Sequence, residues 1–190
     1  MQKTLSILIL SIEGREDKLN RLLNEIASQV KKHNLFDDIQ VLVSKDKRGE
    51  HIIGYKRNLC LQHAEALWEM FVDDDDMLAP ESLFHIVKNL KEKNPDCIAL
   101  EGIITENGTN PKKFIHSLRY NEWFEKDNIY YRSPNHLNPI RTSISKNFKF
   151  PEINHGEDKE WSMAISKAGV LKSEAKIGFP YYYYEYMSNK

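Results

Sequence analysis

Apolar positions change period several times along the chain. From Leu5 to Leu10 the run Leu-Ser-Ile-Leu-Ile-Leu is almost continuously apolar, the pattern of a strand covered on both faces, and it predicts a central parallel strand. Behind it Leu19, Leu22, Leu23, Ile26 and Val30 fall at i, i+3, i+4, i+7 and i+11, which places them on one helix face. Ile39 to Val43 predicts a second short buried strand, with a polar stretch from Ser44 to Glu50 at its carboxyl end. Ile53 to Ala66 reads as a helix and Leu67 to Val72 as a third strand. Pro80 suits a first helical turn, after which Leu83, Ile86, Val87 and Leu90 form another apolar stripe. Asp96 to Leu100 predicts a fourth strand.

Repeated β-α alternation with short connections implies an α/β fold with a mainly parallel central sheet and helices on both faces. Ligands of such sheets bind beyond the carboxyl ends of the strands. From Glu101 to Asn138 the pattern loosens into Gly, Asn, Pro, charged and aromatic residues, and no element is predicted there. Trp161, Ala164, Ile165 and Ala168 predict a last helix, and the aromatics from Gly178 to Tyr184 read as a strand.

A chain of 190 residues with 41% hydrophobic residues is the size of one compact domain, 1–190, with no room for a second. Its formal net charge of -1 supplies no overall field that would draw it to nucleic acid or anionic lipid. Cys60 and Cys97, the two cysteines, are far apart and outside any CxxC spacing, so they read as buried thiols. The Leu5 to Leu10 run is far shorter than the roughly 20 residues of a membrane span, and a cytoplasmic protein is expected.

The candidate chemistry centres on Asp73-Asp74-Asp75-Asp76, four adjacent carboxylates directly after a predicted strand. They repel one another unless a cation or hydrogen-bond donors compensate. A hard divalent ion such as Mg²⁺ takes oxygen ligands and keeps positions for substrate phosphates, so one or two of these aspartates suit a metal-diphosphate unit. The plainer reading is a solvated acidic turn near the helix after Pro80. Glu157-Asp158 at a predicted helix start is likewise either a functional pair or ordinary N-terminal acidity.

The order and spacing of several segments resemble glycosyltransferase family 2: Ser11, Glu13 and Arg15 after the first strand, Asp46 at a strand end, Ile53-Gly54-Tyr55-Lys56-Arg57-Asn58, the aspartate cluster, and Gly156-Glu157-Asp158-Lys159-Glu160-Trp161. The resemblance covers most of the chain. It implies a GT-A, Rossmann-like sandwich, with a nucleotide-sugar half at about 1–100 and an acceptor half at about 101–190. It further implies a nucleotide-sugar donor, a UDP-sugar by preference, bound by Ser11, Glu13, Arg15, Asp46, Lys56, Arg57, Asp73 and Asp74. Asp46 would accept from the base, and Lys56 and Arg57 would lie near the base or diphosphate. Asp73 and Asp75 would form the DxD pair holding Mn²⁺ or Mg²⁺, with Asp75 in direct contact. Asp158, beside Glu157, would be the base of an inverting transfer. His136, His155 and Trp161 are candidate acceptor or metal contacts, against the plainer readings of structural histidines and a core tryptophan.

The chain lacks the Gln-x-x-Arg-Trp motif and membrane helices of processive members, which favours addition of a single sugar. A saccharide is the default acceptor; a lipid-linked glycan, a protein or a hydroxylated nucleic-acid base is the alternative. Other classes using the aspartates are a nucleotidyltransferase, a non-enzymatic ion- or nucleotide-binding module, and a haloacid-dehalogenase-like phosphatase with Asp73 as nucleophile. The phosphatase motif continues with Gly and Thr, where Asp76 and Met77 stand here. An EF-hand lacks its required Gly.

Overall fold

The computed structural model describes residues 2–187. Its first half runs β1 (Leu5–Ile12), α1 (Glu16–His33), β2 (Ile39–Asp46), α2 (Ile53–His63), β3 (Trp68–Phe71), β4 (Met77–Leu78), α3 (Ser82–Lys93) and β5 (Cys97–Ile98). There follow β6 (Leu100–Glu106), β7 (Thr109–His116), β8 (Phe124–Lys126), β9 (Ile129–Arg132), β10 (Ile140–Arg141), α4 (Thr142–Ser145), α5 (Glu157–Ala168), β11 (Glu174–Ala175) and β12 (Tyr182–Tyr186).

The central sheet has the order β11-β5-β10-β3-β1-β2. It is parallel where β1 meets β2 and β3 and where β5 meets β11, and antiparallel on both sides of β10. The unbroken apolar character of β1 follows from its two covered faces. Leu5, Ile7 and Ile9 pack with Leu19, Leu22 and Ile26 of α1 and Leu83, Ile86 and Leu90 of α3. Leu8 points the other way, to Leu61 of α2, Phe71, and Trp161 and Ile165 of α5. Fully burying each such side chain contributes roughly 1.5–3 kcal/mol. Helix α1 carries Glu16 and Asp17 in its first turn and Lys31, Lys32 and His33 in its last, matching its dipole, and ends on a left-handed Asn34.

Three expectations are corrected. Strand β2 is an edge strand, so Val41 and Val43 lie exposed on its open face while Ile39 alone of its apolar residues is buried. Pro80 precedes α3, which starts at Ser82 after a left-handed Glu81. The segment 96–100 divides at Ala99: Cys97 and Ile98 stay in the central sheet, whereas Leu100 begins β6 of a second sheet.

That second sheet, β4-β12-β6-β7-β9-β8, occupies the region where no element was predicted. The halves of the chain exchange strands, because β10 and β11 complete the central sheet and β4 joins the second. Both cysteines are free and buried, as expected. Among the described residues no helix is long and apolar enough to cross a membrane.

Candidate active site

The aspartate cluster forms a turn between β3 and β4, closed by the Asp76 amide donating to the Asp73 carbonyl at 3.0 Å. Its four carboxylates point to different partners, which resolves their mutual repulsion. Asp74 is buried and accepts from the Ser11 hydroxyl at 2.7 Å, with Arg15 pairing to it at 2.7 Å. Arg15 also pairs with Asp75 at 2.7 Å, and Lys18 stands 3.7 Å from the same oxygen. Asp76 accepts from the Tyr182 hydroxyl at 2.8 Å and the Glu185 amide at 2.9 Å, so it ties the turn to β12. Burial raises the Asp74 and Asp76 carboxyls above the usual carboxylate range, helped in each by neighbouring aspartates. Asp73 has the most exposed side chain of the three whose ion pairs are resolved, at 29%, and faces a cavity.

Helix α2 brings two buried cations to this turn. Lys56 donates to Asp46 at 2.7 Å and to the Ser11 carbonyl at 3.3 Å, tying the ends of β1 and β2 together. His51 approaches the other Asp46 oxygen at 3.3 Å and stacks on Tyr55. Glu13 is exposed, its amide donating to the Asp46 carbonyl. Arg57 donates from Nε to Glu157 at 3.1 Å and from Nη2 to Asp73 at 3.3 Å, lying over the Phe71 ring. Burial opposes the charge of Arg57, but Asp73 and Glu157 more than offset it and hold its pKa above the usual value. Glu157 is raised by burial, with Arg57 opposing.

Glycine makes this approach possible. A Cβ at Gly54 would overlap the Pro151 carbonyl oxygen, so only glycine lets α2 lie against the segment leading to Glu157. Gly156, at φ 85°, then turns the chain into α5.

Asp73, Arg57, Glu157 and Asp158 line one cavity of about 480 Å³ together with His136, His155, Arg132 and Tyr184. Asp158 is a quarter exposed, and His136 Nδ1 lies 3.8 Å from its carboxylate. Burial, then the charges of Arg57, His116 and Arg132, drive the His136 pKa well below its ordinary value, so its ring is neutral. Ser11, Arg15, Asp46 and Lys56 stand beside this cavity, joined to it through Asp74 and Arg57. Trp161 takes the plainer of its two readings: it is wholly buried, stacked on Phe150 at 4.6 Å with its indole N–H on the Phe148 carbonyl, and belongs to the core. The sequence reading missed Lys18, Tyr182, Tyr184 and Arg132; the tyrosine run was visible, but only as a strand.

A search of curated proteins returns no match. Solved structures similar to this chain include Staphylococcus aureus TarS 1–349, with a TM-score of 0.66 at 19% identity over 96% of this chain and 60% of that one. TarS 1–349 in complex with UDP-GlcNAc matches with a TM-score of 0.68 at 18% identity, over 98% of this chain and 60% of that one. The chain thus spans about 60% of that TarS fragment, and 36% of the longer TarS structure. These likenesses are to a GT-A fold. The family model described as glycosyl transferase family 2 matches residues 11–155, a stretch that begins at the hydroxyl on Asp74 and takes in Asp46, Arg57 and the whole aspartate turn. The chain belongs to glycosyltransferase family 2.

Proposed function

We propose that this enzyme moves one sugar from a nucleotide-sugar, a UDP-sugar by preference, to an acceptor hydroxyl with inversion at the anomeric carbon. The observation that carries this reading is the meeting of Asp158 with Asp73 and the Arg57–Glu157 pair around one cavity. The similar TarS fragment has been solved with UDP and with UDP-GlcNAc, which supports the donor class. The donor half is about 1–100 and the acceptor half about 101–190, and a saccharide is the default acceptor.

The residues fit a divalent cation of a particular kind. Among the described residues no group of three or more His, Cys, Asp or Glu forms a metal cage, and in this reading the protein supplies the oxygens of Asp73 and Asp75. That suits Mg²⁺ or Mn²⁺, whose remaining positions go to phosphate and water. Bound there, the cation would offset charge on the leaving nucleoside diphosphate.

The other roles belong to the chain. Asp46 keeps acceptor capacity beyond its contacts to Lys56 and His51, enough to take an N–H from a pyrimidine base. Arg57 fixes Glu157 and Asp73, leaving Asp158 to take the proton of the attacking hydroxyl. The neutral His136 beside Asp158 brings no competing positive charge. Asp158→Asn should lower transfer by roughly 10²-fold or more while donor affinity and fold persist. Transfer at saturating donor, measured with UDP affinity for Asp158→Asn and Glu157→Gln, tests this. A nearly full rate in Asp158→Asn would move the base elsewhere.

A further inference from the structure

The guanidinium of Arg132 has no carboxylate within ion-pairing distance among the described residues, although it lines the cavity that also holds Asp158. Every other cation around the turn is committed: Arg57 to Asp73 and Glu157, Arg15 to Asp74 and Asp75, Lys56 to Asp46. Arg132 instead lies over the Trp123 ring, 4.3 Å from its centroid, and Trp123 donates to Ser133 at 3.3 Å. Burial lowers the pKa of Arg132, while Asp158 and the tyrosines near it work to keep the charge. At its ordinary pKa an arginine stays charged even so.

Position gives that charge a use. Arg132 ends β9 and lines both the catalytic cavity and a second hollow of about 540 Å³ on the same sheet; Ile104, Tyr130, Tyr184 and Tyr186 line both as well. The outer hollow reaches Lys112 and Asn110, away from the aspartate turn. The two hollows form one groove with tyrosine walls and a forked cation at its waist. Tyrosine rings suit sugars, and a guanidinium held over an aromatic ring presents paired donors to a carboxylate or phosphate.

We infer that the acceptor is an acidic saccharide, lying along this groove with a phosphate or carboxylate group on Arg132. The inference rests on the proposed nucleotide-sugar transfer and specifies its acceptor. The same anion could instead be the donor's diphosphate or an acidic donor sugar, and the experiment separates these sources.

The full chain and its Arg132→Gln and Arg132→Lys variants are compared by calorimetry and thermal melting. The probes are UDP, UDP-glucose and UDP-glucuronate with Mn²⁺, then glucose and glucose 6-phosphate with UDP present. Arg132→Gln should weaken glucose 6-phosphate by about tenfold or more and leave glucose and all three nucleotides unchanged. Arg132→Lys, which keeps the charge without the fork, should fall between. Losing UDP affinity would assign the anion to the donor diphosphate, and losing only UDP-glucuronate would assign it to the donor sugar; either overturns the inference. So does a wild-type protein that binds glucose 6-phosphate no better than glucose. If the wild type binds no nucleotide at all, the transfer reading fails first, and the acceptor inference falls with it.

Discussion

Glu69 lies in the middle of β3, wholly buried, with both carboxylate oxygens lacking a hydrogen-bond partner among the described residues. Burial raises its pKa from 4.5 to about 8. The folded protein therefore holds a proton that the unfolded chain releases above about pH 4.5. The neutral acid's stability is fully present below that pH, is lost progressively as pH rises towards 8, and changes no further above it. Glu69→Gln should flatten this decline and stabilise the fold at pH 8 by on the order of a few kcal/mol, which raises the melting temperature there. Melting curves at pH 5, 6.5 and 8 for both proteins check it; parallel curves would mean Glu69 is ionised in the fold. At the turn, Asp75→Asn should weaken Mn²⁺-dependent UDP binding while leaving the metal-free affinity near wild type, because an amide is a poorer ligand for a hard cation. Calorimetry with and without Mn²⁺ reads the difference, and equal metal dependence in both proteins would remove Asp75 from the cation site.

Among the elements, α2 has the tightest constraint. Its third turn holds Cys60 and Leu61 in the core, while its first turn must pass the Pro151 carbonyl at Gly54. Gly54→Ala should push that turn away, lengthen the Arg57–Glu157 contact and cost about 1–3 kcal/mol, the usual scale for overpacking. Transfer should fall more than stability does. Denaturant unfolding beside transfer rates decides; a fully active variant would show that α2 has slack. Elements β1, α1 and β3 were legible because they put their apolar residues in regular periods against the cores. Strands β6 to β9 were not, since most of their positions are only half-buried or exposed, and β7 carries Asn110, Pro111 and two lysines. The core place of Trp161 had its signal: Trp161 and Ile165 are four residues apart on the buried face of α5. Arg132 had none, because what sets it apart is the lack of an ion-pairing carboxylate beside it among the described residues, which only folded geometry reveals.

For the whole molecule, two sheets are locked through the aspartate turn. Tyr182 receives the Asp73 amide and donates to Asp76, while Glu185 donates to the other Asp76 oxygen, so β12 holds the end of β3. Tyr182→Phe leaves the ring packed but Asp76 short of a donor inside the protein. It should cost about 1–3 kcal/mol and weaken nucleotide binding through a looser turn. Thermal melting with and without UDP and Mn²⁺ would show both effects, and unchanged nucleotide stabilisation would confine Tyr182 to a purely structural part. The sequence showed the parts of the site along the chain, as the aspartates, the Lys56-Arg57 pair and Glu157-Asp158. Their assembly was not visible, because it depends on contacts such as Arg57 to Glu157, 100 residues apart.

The tie between Asp76 and Tyr182 spans 106 residues, and that separation is also an interval of time. Contacts so distant in sequence form late, after local units have closed, and a chain emerging from the ribosome presents its earlier units first. The β1–α1–β2 unit can therefore settle around its own core while Asp76 still waits for its tyrosine. A nascent chain halted before Tyr182 would carry all four aspartates and have no β12 to hold them, so the turn lacks its Asp76 anchor until that strand has emerged.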